Sequence, residues 1–331
     1  MQKSIKEKNN KYNISVYLVS LFLFFIIICI TLNPQVYTQS VYNGLIIWAK
    51  AVLPTLFPFF FITKLLTELG AVKKISRIFS PITKKMFNVN GIASYVYIMS
   101  IMSGYPVGAK MTSELYHCGQ ISKQEAYRMT TFTSTSGPLF IIGTVGAGFL
   151  FSKNFGYIIF FSHILSALFN GILWRKYKSH ENEFKIKILK EEKKIDDMLG
   201  ETIYSSVISI LLVGGYIAIF FMLIDLLINT GVLSLIASII PFIDKGVTET
   251  FLSGLIEMTR GCYDVSITCQ NVNLSIIMCV FIISFGGIST HLQSLAFLKS
   301  CNIKYSFFFL QKLTQAIISA IFACILIFIF L

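Results

Sequence analysis

The chain alternates between long stretches without a charged side chain and short stretches crowded with them. Four uncharged runs, residues 14–32, 154–174, 202–224 and 313–331, are long enough to cross a bilayer, which takes about 20 apolar residues as a helix. Other apolar segments are interrupted. Residues 41–66 carry Lys50, Pro54, Pro58 and Lys64, and the runs 86–109, 129–152 and 265–290 are broken by Gly, Pro, Ser and Asn. Because backbone in hydrocarbon must satisfy its own hydrogen bonds, the pattern predicts an all-α polytopic membrane protein with re-entrant or broken helices.

The basic residues set an expected orientation. They collect at Lys3, Lys6, Lys8 and Lys11, at Lys73, Lys74, Arg77, Lys84 and Lys85, and in residues 175–197. Lys and Arg favour cytoplasmic loops, so the N-terminus, the 73–85 loop and the 175–197 loop are all expected inside. An even number of crossings must then separate residues 86 and 174. The segments 137–152 and 156–174 supply two. Residues 91–118 are left to enter and leave on one side, as a re-entrant hairpin with its tip at Ser103-Gly104-Tyr105-Pro106-Val107-Gly108.

A division follows: a transmembrane helix over residues 1–40, a first repeat over 41–174, a charged cytoplasmic linker over 175–200, and a second repeat over 201–331. Phe59-Phe60, Leu65-Leu66 and Gly70-Ala71-Val72 resemble Phe220-Phe221, Leu226-Leu227 and Gly231-Val232-Leu233 at a constant shift, Pro81 then aligns with Pro241, and Gly104 and Cys118 align with Gly287 and Cys301 at a larger one. Weak internal symmetry with Gly/Pro-broken segments in matching places is the mark of a repeat-built transporter with its site between the halves. The expectation is two inverted repeats.

Composition agrees with the membrane reading. Of 331 residues 55% are hydrophobic and 13% charged, about half the charge of a soluble domain. The net charge is +12, but it lies in loops rather than on one face, which argues against nucleic acid as a partner. The seven cysteines include no C-x-x-C and fall mostly in apolar runs, so neither a disulfide framework nor a zinc site is expected. The basic head and apolar run of residues 1–32 precede Thr31-Leu32-Asn33-Pro34-Gln35 without a small-x-small cleavage site, which reads as an uncleaved first helix.

Four segments carry candidate chemistry. In the first, Ser103, Gly104, Tyr105 and Pro106 interrupt a helix that restarts near Val107 and Gly108, with Lys110 and Glu114 one turn apart; a helix start with a nearby cation suits an anion. In the second, Thr133, Ser134, Thr135 and Ser136 precede Gly137-Pro138, a run that either caps a helix or offers donors to a ligand. In the third, Gly254, Glu257, Thr259 and Arg260 lie in a Gly-flanked segment too short to span, where Arg260 either pairs with Glu257 or grips a carboxylate at two points. In the fourth, Gly286-Gly287 is followed by Ser289, Thr290, His291 and Gln293, polar in an otherwise apolar stretch, and His291 is a candidate proton carrier. This segment reads as the repeat partner of the first. Asp225 is either an ion ligand or an interfacial residue, and His163 has no evident partner.

Motifs of metalloproteases, serine hydrolases, P-loop ATPases and dinucleotide enzymes are missing from the sequence. No enzyme activity, metal or cofactor is expected, and any transport is passive, ion-coupled or driven by a partner.

The run Ser103–Lys110, then Thr112-Ser113-Glu114-Leu115-Tyr116, then Ser136–Gly146, with Gly254–Gly261 in the second half, resembles the YlbJ (SpoVV) sporulation integral membrane proteins. Their nucleoside-recognition gate domains are related to concentrative nucleoside transporters. The resemblance implies transport of dipicolinic acid from the mother cell toward the forespore across the outer forespore membrane. On this reading Lys110 and Arg260 hold the anion's charge, Glu114 and Glu257 orient the cations, and Tyr105 stacks on the ring. Expected partners are the bilayer and dipicolinate, with a coupling ion and a second copy of the chain left open. The alternatives are a nucleoside-type transporter of the same fold and a non-transporting scaffold for spore envelope assembly.

Overall fold

The computed structural model describes residues 2–69, 71–178, 195–240 and 244–331, and at 2–15, 71–77 and 195–197 the backbone alone. Most of the expected 175–200 linker, the side chains of Lys73, Lys74 and Arg77, and Gly70 and Pro241 of the internal match lie outside these limits. Among the described residues every regular element is helical. Five helical stretches are long and apolar enough to cross a membrane: Pro34–Glu68, Lys153–Leu173, Met198–Asn229, Val272–Cys301 and Tyr305–Phe330. The chain is a polytopic α-helical membrane protein.

The first helix, α1 (Gln2–Leu32), ends at Asn33, and Pro34 opens α2 (Pro34–Ile47), where its missing N–H costs nothing. A π-helical turn, Trp48–Val52, joins α2 to α3 (Leu53–Glu68). The interrupted segment 41–66 is therefore part of one long rod, despite Pro54 and Pro58. The apolar part of α1, Val16–Leu32, is shorter than the five spans. Next, α4 (Ala71–Phe87) ends on Lys84 and Lys85.

From here the order of elements recurs. Helices α5 (Ile92–Ser103) and α6 (Val107–His117) meet at a fold over residues 104–106. A broken crossing follows, α7 (Lys123–Thr133) and a π-helix (Leu139–Phe149) separated by residues 134–138. The long α8 (Lys153–Leu173) comes third. After α9 (Ile195–Asn229) and α10 (Val232–Ser238), α11 (Lys245–Ile256) and α12 (Met258–Thr268) fold at Glu257. Then α13 (Val272–Phe285) and α14 (Gly287–Phe297) split at Gly286, and α15 (Tyr305–Phe330) closes the chain. The starts of α5 and α11 are 153 residues apart, those of α6 and α12 151, and those of α8 and α15 152.

This order corrects two expectations. The first segment, around Gly104, corresponds to the third, around Glu257, and the second corresponds to the fourth; the alignment of Gly104 with Gly287 was off by one element. Nor is 137–152 a crossing by itself. Its π-helix has 11 residues, half of what a bilayer needs, and it continues the path that α7 begins.

Local chemistry fixes the breaks. Ser122 and Glu125 form a capping box at the start of α7: the Ser122 Oγ accepts from Glu125 N at 3.1 Å, and the Glu125 carboxylate accepts from Ser122 N at 2.9 Å. Glu257 caps α12 by accepting from Arg260 N at 2.8 Å. Asn271 accepts from Leu274 N at 3.1 Å and starts α13. Each cap satisfies an otherwise unpaired helix-end donor. At the α11–α12 fold, Gly254 and Gly261 touch backbone to backbone, and a Cβ on Gly261 would run into Gly254 Cα.

Two large apolar cores result, besides a small cluster of Ile26, Tyr37 and Leu226. One joins α3, α5, α6, α7 and α9 with the start of α15, including Phe60, Tyr95, Phe132, Phe221 and Phe308. The other joins the π-helix, α8, α12 and α13 with the end of α15, including Ile141, Ile159, Cys262, Ile283 and Ala323. Between them runs a buried polar seam, with Ser100, Thr133, Ser162, His163, Asn170, Ser284, Ser289, Gln311, Lys312 and Gln315 each at most 1% exposed. One end of the molecule gathers several chain turns. Arg128 in the middle of α7 donates to Asn88 O, Tyr177 O and Lys178 O at 3.0–3.1 Å, and Tyr127 Oη donates to Asn302 O at 3.1 Å.

Candidate functional site

The four helix interruptions meet. At Gly104 the backbone has φ 83° and ψ −173°, a region essentially closed to other residues. A Cβ here would lie 2.7 Å from Gly137 N, so the first fold rests directly on the second break. Tyr105 carries the contact onward: its hydroxyl donates to Ile283 O at 3.2 Å, just before the fourth break. A Cβ on Gly287 would meet Ile256 O and Met258 N, each at 3.1 Å, which brings in the third. Where the four converge lies a cleft lined by Ser103, Gly104, Tyr105, Ser136, Gly137, Glu257, Thr259, Thr290 and Gln293. Val52, Thr55, Leu56 and Phe59 from the α3 rod, Val213 and Ile217 from α9, and Met102, Leu139, Phe140 and Met258 complete it.

The site is polar on the break side and apolar on the α3–α9 side. Helix ends leave backbone donors without intrahelical partners, so four interruptions around one cleft concentrate hydrogen-bonding capacity there. Such irregular backbone is tolerated only inside protein or against a watery cavity. The free volume is about 50 Å³, whereas a cavity that takes a benzene ring measures roughly 150 Å³. The structure therefore shows a closed arrangement.

Of the residues singled out from the sequence, Ser103, Gly104, Tyr105, Ser136, Gly137, Glu257 and Thr259 line this cleft. Several others do not. Lys110 points to α9, donating to Ser205 Oγ and Ser209 Oγ, each at 2.8 Å. Glu114 pairs with Lys64 at 3.4 Å rather than with Lys110, and Lys64 also holds Glu68 at 3.1 Å. Arg260 is committed to two carboxylates, Asp264 at 2.8 Å and Asp225 at 3.1 Å. Glu257 accepts from the backbone N–H of Arg260 and also hydrogen-bonds Thr259, while the Arg260 guanidinium bonds Asp264 and Asp225 instead. Asp225 also accepts a hydrogen bond from Ser40 Oγ, so it fastens α9 to α12 and α2. His291 Nε2 donates to Phe285 O at 2.7 Å, between the rings of Phe285 and Phe308. Ser289 accepts from Gln293 at 3.2 Å. Pro106, Gly108, Ser134, Gly254 and Gly287 shape the folds without lining the cleft: a Cβ on Gly108 would run into Thr133 O, and Ser134 turns its carbonyl to Lys312.

Two residues take places that sequence reasoning did not give them. His163 on α8 accepts from Ser136 N at 2.9 Å and shares a 2.8 Å hydrogen bond with Ser284 Oγ, clamping the second break to the fourth. Lys312 on α15 donates to Tyr105 Oη at 2.6 Å, Gln315 Oε1 at 2.7 Å and Ser134 O at 3.0 Å, joining the first break to the second. The signal for Lys312 was present: it is the one charge between Tyr305 and Phe330. A span drawn to begin at residue 313 passes over it.

Residues 49–153 match a family model described as Gate, nucleoside recognition, a stretch that runs from the π-turn before α3 to the start of α8. No solved structure matches the chain. The sporulation integral membrane protein YlbJ of Bacillus subtilis (strain 168) is 30% identical, over 96% of this chain and 84% of its own length. With that identity along almost the whole sequence, and with the gate-matched segment forming the first two of the four breaks, the chain belongs to the YlbJ family of sporulation integral membrane proteins.

Proposed function

We propose that this protein is a transporter, not an enzyme, and that it carries dipicolinate from the mother cell toward the forespore across the outer forespore membrane. The observation that supports it most is the meeting of four helix interruptions around one cleft between two cores. Half-helix ends converging near mid-membrane are the usual construction of a transport site. The recurring order of elements fits alternating access if the second triplet runs opposite to the first. Contacts of Tyr127 and Arg128 in the first half of α7 with residues 88, 177 and 302 gather at one end the start of α5, the end of α8 and the start of α15. Hence α8 runs toward that end and α15 away from it.

The site chemistry suits a flat, doubly charged aromatic ring. Phe59, Tyr105 and Phe140 offer ring faces or edges, and helix-end donors suit carboxylates. The closed volume means that α3 and α9 must draw back from the breaks to admit a ring. The test is flux of labelled dipicolinate into proteoliposomes holding the purified protein. Saturable uptake above empty vesicles supports the reading, and no uptake overturns it.

Glu257, Thr259, Ser136 and Gln293 around the same cleft favour a second reading, a nucleoside carrier, because carboxylate and hydroxyl groups also suit a ribose. Uptake of uridine in place of dipicolinate in the same vesicles would select it.

A further inference from the structure

The cations first expected to meet an anion are engaged elsewhere, Lys110 by serines and Arg260 by Asp225 and Asp264. Lys312 differs from both. It is 0% exposed, in the middle layer between the two cores. Its three ammonium hydrogens go to a phenol, an amide and a backbone carbonyl, all of them neutral. Among the described residues no carboxylate lies within ion-pair distance of its Nζ. An ammonium buried without a counter-charge is costly even when its hydrogen bonds are made, and ionisable groups at membrane depth are kept for function.

The position adds a second argument. Lys312 stands directly behind Tyr105, with Nζ 4.8 Å from the ring centre, and Tyr105 lines the cleft. Three buried polar atoms close by have no partner in the closed arrangement: Ser103 Oγ, Ser134 Oγ and Gln315 Nε2. Ser103 also lines the cleft. One wall of the site thus holds a buried amine without a counter-charge beside donors without partners, and the chemistry that completes both is a carboxylate.

Resting on the transport reading, we propose that Lys312 is the counter-charge for the carried anion. It acts through Tyr105, whose hydroxyl it polarises, and it makes the site prefer a dicarboxylate to a neutral molecule of the same shape. Ser103 supplies a further donor to the same carboxylate. Lys312 is in this sense a positioning and specificity residue.

The experiment measures flux of pyridine-2,6-dicarboxylate and of its neutral diamide into proteoliposomes, for wild type and for Lys312→Met, Lys312→Gln and Lys312→Arg. The expected result is that the diacid-to-diamide ratio falls at least about tenfold, the worth of roughly 1.4 kcal/mol, in the methionine and glutamine variants. Diamide flux persists in them, and arginine restores much of the ratio. The glutamine variant reads the same ratio if the methionine one fails to assemble. A ratio unchanged in the uncharged variants overturns the assignment of Lys312 alone, as does loss of both fluxes together in all three. Wild type that moves neither solute overturns the transport reading itself.

Discussion

Gly104 shows how narrowly single residues constrain the site. Its backbone angles and its contact with Gly137 leave no place for a methyl group. Gly104→Ala is expected to lower stability by at least about 1–3 kcal/mol from backbone strain alone. Gly143→Ala is the control, because nothing lies within 4 Å of the added carbon, and it is expected to shift stability by no more than about 0.5 kcal/mol. Thermal unfolding of both variants in detergent reads the difference. Lys110 illustrates the opposite case. Its ammonium meets α9 serines away from the cleft, so Lys110→Met is expected to leave the diacid-to-diamide flux ratio at the wild-type value. A ratio that collapsed in this variant would return Lys110 to the site.

At the scale of elements, the α11–α12 fold is held in place by one polar knot. Arg260 on α12 bonds Asp264 one turn on and Asp225 on α9, and Asp225 reaches Ser40 on α2. These groups are about one-fifth exposed or less, which keeps solvent from replacing a lost partner. Arg260→Gln leaves two carboxylates facing each other and is expected to cost about 3–5 kcal/mol. Adding Asp225→Asn removes one of them, so the double variant is expected to be less damaged than the sum of the singles, with a coupling of roughly 0.5–3 kcal/mol. A double-mutant cycle by denaturation measures it, and strict additivity would mean that the knot does not join α9 to α12.

For the whole molecule, the gathering of chain turns at one end makes a prediction about sidedness. Cys118, exposed after α6, belongs with the turn that follows the first fold, and the exposed Asn154 at the start of α8 belongs to the opposite end. Because α5 and α6 fold back on each other, the basic end of α4 and Cys118 share a side, which the Lys/Arg bias makes cytoplasmic. A membrane-impermeant maleimide is expected to label Cys118 only in inverted vesicles and Asn154→Cys only in right-side-out vesicles. Labelling of both from one side would remove the re-entrant path. The spans differ in depth as well. The most apolar part of Pro34–Glu68 is 11% buried and that of Val272–Cys301 67%, so the first faces lipid while the broken helix forms the interior.

The sequence alone determined the membrane class, because runs of uncharged residues longer than a bilayer is thick admit few other solutions. It also located the breaks at Gly104, Gly137 and Gly286-Gly287, which act through their own backbones, but not the continuity of the rod through Pro54 and Pro58. Tertiary structure alone decided which failures correspond and which cations face the cleft. The internal match by residue type followed Phe, Leu and Gly pairs, common enough in apolar helices to align by chance, and so paired Gly104 with Gly287. Lys110 and Arg260 were conspicuous beside their glycines, yet a long side chain on a helix can serve either neighbour, and packing turned both away. Lys312 and His163 sit inside uninterrupted helices, where the lone charge of Lys312 marks it as unusual but nothing local says which break either residue faces. They became part of the site because α15 and α8 pass behind the breaks, a proximity of residues 207 and 27 positions apart along the chain that only folding creates.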